Sequence, residues 1–175
     1  MAHAYAFALQ LIDPRGRCNR RGLLVAASLL SALLAAVGWV VWTSGVDLAS
    51  PLALTLYAIS GWVAFAAVSK RLHDLGRSTW WVPTAILVWL AGAVSLAVAV
   101  ILVGDPEILA PGTASYWLAV GVMVAPPVIS AVWLQVAEGE PDDNRFGPTP
   151  AASGFSMPAD AGHWHPPVGA PPSAA

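Results

Sequence analysis

The residues best equipped for chemistry lie in one short stretch in the middle of the chain, residues 70–81. It contains a histidine next to a carboxylate, His73-Asp74, flanked by Arg71 and Arg77. A histidine and a carboxylate that face each other can act together in acid–base catalysis. Neighbouring residues on a helix point in different directions, so we do not expect these two to form a catalytic pair.

The same stretch is better suited to a structural turn between two helices. Arg71, Asp74 and Arg77 are three residues apart, so on a helix the carboxylate can bridge both arginines. Gly76 then ends the helix in the left-handed conformation. The residues that anchor the following helix at the membrane surface are Trp80 and Trp81.

An alternative use of these residues is an anion site. Basic side chains come from three separate parts of the sequence and, with His73, form this set: Arg17, Arg20, Arg21, Arg71, Arg77 and Arg145. Such a set suits phospholipid headgroups or the acidic surface of a protein partner. We expect residues 144–148 to fold back on the central stretch, with Arg145 paired to Asp74.

Other signatures of catalysis or metal binding do not occur in the sequence. There is no serine–histidine–carboxylate set, HExxH motif, P-loop or Cys/His metal pattern. The single cysteine, Cys18, cannot form an intrachain disulfide. We interpret it as incidental, and likewise His163 and His165 near the C-terminus. The sequence therefore predicts no enzyme activity, no cofactor, no metal and no nucleic-acid partner.

Long apolar runs separate the charged stretches. The chain is 57% hydrophobic and 10% charged, with a mean hydropathy of +0.66, whereas soluble domains carry about 25% charged residues. A helix needs about 20 apolar residues to cross a bilayer. We predict an all-α membrane protein, a bundle of four transmembrane helices over residues 22–42, 51–69, 80–103 and 114–137.

The segments outside the spans differ in character. Residues 1–21 are predicted to hold either a short interfacial helix over 4–12, ended by Asp13-Pro14, or a frayed N-terminus, and then a basic cluster. Pro126 and Pro127 predict a kink in the fourth span. Residues 138–150 form a polar segment. Residues 151–175, rich in proline, alanine and glycine, are predicted to be disordered.

The charges also predict an orientation. All eight basic residues lie before the first span, between the second and third, or after the fourth. The positive-inside rule then places these regions, with both termini, in the cytoplasm. The predicted spans contain no Asp, Glu, Lys, Arg or His, which speaks against a proton relay or an ion pathway within one subunit.

Three blocks of the sequence resemble the DUF805 family, small bacterial inner-membrane proteins of unknown function. The blocks are Gly16-Arg17 with Arg20 and Arg21; residues 71–81; and Asn144-Arg145-Phe146-Gly147-Pro148 with Pro150. The resemblance covers residues 7–150. Phe146 stands where the family usually has a tyrosine, and Gly22-Leu23 where it usually has an acidic residue and aromatics. The resemblance implies a bacterial plasma-membrane protein and implies no activity.

We therefore expect a non-enzymatic, multi-pass protein of the bacterial plasma membrane with an accessory or scaffold role. Its expected partners are membrane lipids and either a membrane-protein partner or further copies of itself. The alternative is a small transporter or a pore-forming homo-oligomer. The expected lipid-binding, partner-binding or structural motif comprises Arg17, Arg20, Arg21, Arg71, His73, Asp74, Gly76, Arg77, Trp80, Trp81, Asn144, Arg145, Gly147 and Pro148.

Overall fold

The structure, a computed structural model, describes residues 10–45, 47, 49–103, 107, 110–151 and 154–156. Four long helices occupy most of these residues: α1 (Arg20–Ser44), α2 (Pro51–Asp74), α3 (Trp81–Val103) and α4 (Ala114–Val136). Each of the four is long and apolar enough to cross a membrane. The prediction of an all-α protein with four transmembrane helices is confirmed.

The chain divides into two compact units. The first unit comprises Met1–Thr79 and Ala137–Ala175, and therefore contains α1, α2 and the segment that follows α4. The second unit, Trp80–Val136, contains α3 and α4.

Side-chain caps and left-handed glycines set the ends of α1. Asn19 accepts a hydrogen bond from the Gly22 N–H at 3.0 Å, which satisfies one of the unpaired amides of the first turn. Gly45 follows the last turn with a φ of 65°, a conformation that glycine adopts without a steric penalty. These signals lie close to the predicted bounds of the first span because they are local in sequence.

Helix α2 begins at Pro51, where Ser50 caps the first turn, and it extends five residues beyond the predicted span. It ends in a Schellman motif around Gly76, whose φ is 70°. The Gly76 N–H bonds to the His73 carbonyl at 3.1 Å, and the Arg77 N–H bonds to the Leu72 carbonyl at 2.8 Å. Gly76 thus ends the helix as the sequence predicts, and it leaves Asp74 on the last helical turn.

In the second unit, a tryptophan compensates for a proline. Pro126 and Pro127 lie inside α4. Pro127 has no N–H to donate to the carbonyl of Met123, four residues earlier. The indole Nε1–H of Trp89, on α3, donates to that carbonyl at 2.9 Å. Hydrogen bonds from a neighbouring helix are one way in which membrane proteins tolerate proline within a span. The predicted kink at this point stays a prediction.

The segment before α1 lies along α2. Residues 10–12 are helical and the helix ends before Asp13-Pro14, as predicted, whereas residues 4–9 of the predicted interfacial helix lie outside the described residues. The Ile12 carbonyl accepts from Trp62 Nε1 at 2.9 Å. The Gln10 carbonyl accepts from the ammonium group of Lys70. Both donors belong to α2, so this helix holds the segment at two points.

The prediction that residues 151–175 are disordered is wrong for residues 154–156. Phe155 is buried, and the Ser156 N–H bonds to the Arg17 carbonyl at 2.9 Å. A Cβ on Gly154 would lie 2.6 Å from Gly22 Cα, so two glycines permit this close approach. The low-complexity composition of the segment gave no indication that Phe155, which lies between small residues, would be buried. Residues 157–175 lie outside the described part of the chain.

Candidate functional site

A buried charge cluster of Arg17, Arg71 and Asp74 forms at the end of α2. Arg17 donates to Asp74 Oδ1 from Nε at 3.2 Å and from Nη2 at 3.0 Å. Arg71 Nη1 donates to Asp74 Oδ2. The three residues are 0%, 1% and 3% exposed. Both carboxylate oxygens therefore have a guanidinium partner in a buried position, where charged groups require such partners.

The remaining donors of the two arginines fasten the chain after α4. Arg17 donates to the carbonyls of Glu140 and Asp142, at 2.6 Å each. Arg71 donates to the carbonyl of Ala137 at 2.5 Å. These carbonyls offset part of the excess positive charge that two guanidiniums leave beside one carboxylate. The cluster thus folds residues 137–142 across the end of α2.

Two glycines make this close approach possible. A side chain on Gly139 would overlap the carboxylate of Asp74, and a side chain on Gly76 would overlap the carboxylate of Glu140. The Glu140 N–H donates to the backbone carbonyl of Asp74 at 2.8 Å. Gly139 and Glu140 were not among the predicted site residues, since backbone contacts carry little residue-type signal. The turn-rich composition of 138–150 was the one available hint.

His73 has a hydrogen-bond partner for each ring nitrogen. Its Nδ1 lies 3.0 Å from the Gly16 carbonyl, which can only accept, so in the neutral ring Nδ1 carries the proton. Its Nε2 lies 2.8 Å from the Thr79 hydroxyl, which then donates to it. The Phe146 ring stacks on the imidazole at 4.0 Å between centroids. A catalytic base needs a nitrogen within reach of substrate, and here both nitrogens tie segments of the fold together.

Residues 144–148 fold back on the end of α2. Asn144 Nδ2 donates to the His73 carbonyl at 2.9 Å and to Glu140 Oε2 at 2.6 Å. Asn144 and Gly147 pair through their backbones, which closes a tight turn with Gly147 buried. Pro148, which follows, is half-buried.

Two expected ion pairs of Asp74 are wrong. Arg145 lies over the Phe146 ring at 4.6 Å from its centroid instead of pairing with Asp74. Arg77 is exposed, because the chain reverses at Gly76 and takes Arg77 out of the helical register that would bring it to Asp74. Instead of Arg77 or Arg145, Asp74 pairs with Arg17, which lies 57 residues away in the sequence.

The other predicted site residues are at the surface. Arg21, Arg77, Arg145, Trp80 and Trp81 are exposed. Arg20 is half-buried: its Nε donates to the Ala137 carbonyl at 3.2 Å, and its Nη2 lies 3.6 Å from Glu138 Oε1. The structure therefore separates the predicted motif into a buried structural part and an exposed part.

An open cleft of about 530 Å³ lies beside the charge cluster. Its walls combine both signs of charge, and the lining residues are Asn19, Arg20, Arg21, Arg71, Asp74, Glu138, Gly139, Glu140, Thr149 and Pro150. Arg71 and Asp74 belong to both the cluster and the cleft. Volumes of this order accommodate small molecules or headgroups.

Cys18 lies within this unit as an inert thiol. It is 0% exposed, and burial raises the pKa of its thiol to about 12. Because the thiolate is the reactive form, this cysteine does not act as a nucleophile near neutral pH. Among the described residues, no three His, Cys, Asp or Glu side chains come together as metal ligands. His163 and His165 lie outside the described residues.

Comparison with known proteins gives one match. A family model described as "Protein of unknown function (DUF805)" matches residues 11–148, a range that includes the three motif blocks except for Pro150. Neither a search of curated proteins nor a search of solved structures returned a match. With most of its length covered by this model and four apolar helices able to span a bilayer, the chain belongs to the DUF805 family and is a multi-pass membrane protein.

Proposed function

We propose that the protein is a non-enzymatic accessory component of the bacterial plasma membrane that binds phospholipid headgroups at its cytoplasmic face. The binding residues are Arg20 and Arg21, which line the cleft. The observation that carries the proposal is the division of the arginines into a buried pair, held by Asp74 and backbone carbonyls, and an exposed set beside an open cleft.

The buried pair is unsuited to ligand binding. Arg17 and Arg71 are at most 1% exposed and already donate to a carboxylate and to carbonyls. Drawing either guanidinium toward a ligand would leave one oxygen of the buried Asp74 carboxylate without its charged partner, which is unfavourable. These two residues therefore build a rigid support on which the exposed arginines are presented.

The half-buried Arg20 and the exposed Arg21 have the chemistry and the depth for headgroups. A guanidinium presents paired N–H donors that match phosphate oxygens. Arg20 is the first residue of the membrane-spanning helix α1, and Arg21 the second, so both lie where an apolar span meets the interface. Basic residues at the cytoplasmic end of a span are attracted to lipid phosphates. The asymmetric distribution of all eight basic residues favours the cytoplasmic side.

Two observations favour a binding role over catalysis. Both nitrogens of His73 have protein partners, and the thiol of Cys18 is buried with its pKa raised to about 12. The cleft thus offers guanidinium and carboxylate groups. Neither the His73 imidazole nor the Cys18 thiol is available to it as a base or nucleophile.

The test is native mass spectrometry of the full-length protein released from lipid vesicles. The wild type is expected to retain bound phospholipid, and a double variant, Arg20→Gln with Arg21→Gln, is expected to lose it. The control is Arg15→Gln, because Arg15 is also an exposed arginine but is paired with Asp13 at 3.1 Å and does not line the cleft. It is expected to retain lipid as the wild type does.

Other results would replace the proposal. If the double variant retains phospholipid as well as the wild type does, the cleft arginines are not a headgroup site. A stoichiometric second protein in place of lipid would make a protein partner the ligand of this face. A closed homo-oligomer that also passes solutes across vesicles would favour the pore.

A further inference from the structure

We propose that the cleft selects phospholipids whose headgroup carries a primary ammonium as well as a phosphate, as ethanolamine phospholipids do. This inference rests on the proposed headgroup binding and names the lipid class. It comes from the carboxylates of the cleft, which the proposed function does not use.

The cleft is balanced in charge and not simply basic. The cluster contributes one charge of each sign to the lining of the cleft, through the ion-paired Arg71 and Asp74. What remains along the walls is Arg20 and Arg21 opposed by two acidic residues, Glu138 and Glu140. A headgroup with negative charge alone would gain from the arginines and be repelled by the carboxylates. A headgroup with both charges finds a partner for each.

The Arg20–Glu138 pair shows how the two charges are spaced. Arg20 Nη2 and Glu138 Oε1 are 3.6 Å apart, and the side chains are 43% and 93% exposed. Exposed pairs of this kind contribute at most about 1 kcal/mol. A ligand can therefore displace the Arg20–Glu138 contact at small cost. A phosphate on the arginine and an ammonium on the glutamate, joined by a two-carbon linker, would replace one loose ion pair with two.

Glu140 gives the cleft a second carboxylate in a fixed position. Its Oε2 accepts from Asn144 Nδ2 at 2.6 Å, and Gly76 leaves just enough room for its carboxylate. A held carboxylate loses little side-chain entropy when it accepts from a ligand. Gly139 lies between the two glutamates in the sequence and adds no side chain to the cleft, and the carboxylate of Asp74 fills the place that its Cβ would take.

The donors of the cation decide which zwitterion fits. A primary ammonium has three N–H groups that can donate to carboxylate oxygens. A choline headgroup has the same net charge but no N–H donor, and none of the described residues that line the cleft is an aromatic that could hold a quaternary ammonium by cation–π contacts. Ethanolamine phospholipids should therefore bind better than either choline or glycerol phospholipids.

The experiment titrates the full-length, detergent-purified protein with short-chain phosphatidylethanolamine, phosphatidylcholine and phosphatidylglycerol, and counts bound lipid by native mass spectrometry. The wild type is expected to prefer phosphatidylethanolamine over each of the others by roughly fivefold, the size of one exposed ionic contact. Glu138→Gln should reduce this preference, and Glu138→Lys should reverse it toward phosphatidylglycerol. Glu107→Gln, which changes an exposed glutamate outside the cleft, should leave the preference unchanged.

The inference and the proposed function fail in different ways. If all three lipids bind equally to the wild type and still require Arg20 and Arg21, the ammonium selectivity is wrong and headgroup binding stands. The same conclusion follows if Glu138→Lys leaves the order of preference unchanged. If no lipid depends on the two arginines, both are wrong.

Discussion

In the first unit a carboxylate is buried between two guanidinium groups, whereas in the second unit an indole N–H bonds to a backbone carbonyl inside an apolar helix pair. Both contacts give a polar group its partner. The contact in the first unit depends on full charges. In the second unit, the indole N–H of Trp89 replaces the backbone N–H that Pro127 lacks.

The difference lies in what remains when one partner is removed. Without Asp74, two guanidiniums would stay buried without a counter-charge. Without the Trp89 indole, one carbonyl on α4 would lose its donor. Unpaired buried charges cost several times more than unpaired neutral groups. We therefore expect the first unit to be the more sensitive to polar substitutions.

Asp74→Asn should have the largest effect. The change keeps the shape of the side chain but removes the negative charge between Arg17 and Arg71, and we expect a loss of about 3–5 kcal/mol in stability. Thermal unfolding in detergent measures it. The matched control is Asp13→Asn, which breaks an Asp–Arg pair whose side chains are 31% and 61% exposed. That change should cost less than about 1 kcal/mol. Equal shifts for the two variants would contradict the central role of the buried cluster.

Gly76→Ala should have the next largest effect within the first unit. Its φ is 70°, close to the 65° of Gly45, so alanine at either position carries a similar backbone strain of about 1–2 kcal/mol. Gly45 has open space around it, whereas a side chain at Gly76 overlaps Glu140. Gly76→Ala should therefore be more destabilising than Gly45→Ala, by about 1 kcal/mol from the displaced Asn144–Glu140 hydrogen bond. Unfolding curves that coincide for the two variants would show that the contact is not important.

Trp89→Phe tests the second unit and should have a smaller effect, about 1 kcal/mol, because one neutral hydrogen bond is lost. The same change made with Pro127→Ala should cost less, since alanine restores the N–H that the Met123 carbonyl lacks. A double-mutant cycle on unfolding free energies measures this coupling. Trp117→Phe is the control, since Trp117 is exposed. A coupling energy of zero would mean that the indole does not substitute for the missing amide.

The labelling of Cys18 is the prediction with the smallest expected effect, and it tests the packing around the cluster. The pKa of about 12 and the burial of the thiol predict that a maleimide does not label the folded protein at neutral pH. Labelling should appear on unfolding and should be faster in Asp74→Asn, because the cluster that holds Arg17 next to Cys18 is weakened. Rapid labelling of the folded wild type would show that this side of the first unit is open to solvent.

The local features of the fold could be predicted from neighbouring residues. The Arg71–Asp74 ion pair follows from helical spacing, and the helix end at Gly76 follows from the conformational freedom of glycine. The expected Asp74–Arg77 pair was wrong because the spacing argument continues past Gly76, where the chain reverses. The expected Asp74–Arg145 pair was wrong although residues 144–148 fold back, because Arg145 lies over the Phe146 ring. Arg17 was placed in the motif, but its partner, Asp74, was not foreseen.

The sequence by itself determined that the protein is an all-α membrane protein with four spans, since transfer of long apolar runs from water to lipid outweighs any local detail. It also determined which residues are charged and whether each of them precedes or follows a given span in the sequence. Only the tertiary structure decided which arginines are buried and which line the cleft, because their donors are satisfied by carbonyls of residues 137–142, far along the chain. Every residue has a backbone carbonyl, so no pattern of residue types predicts which carbonyls will accept a hydrogen bond from a guanidinium.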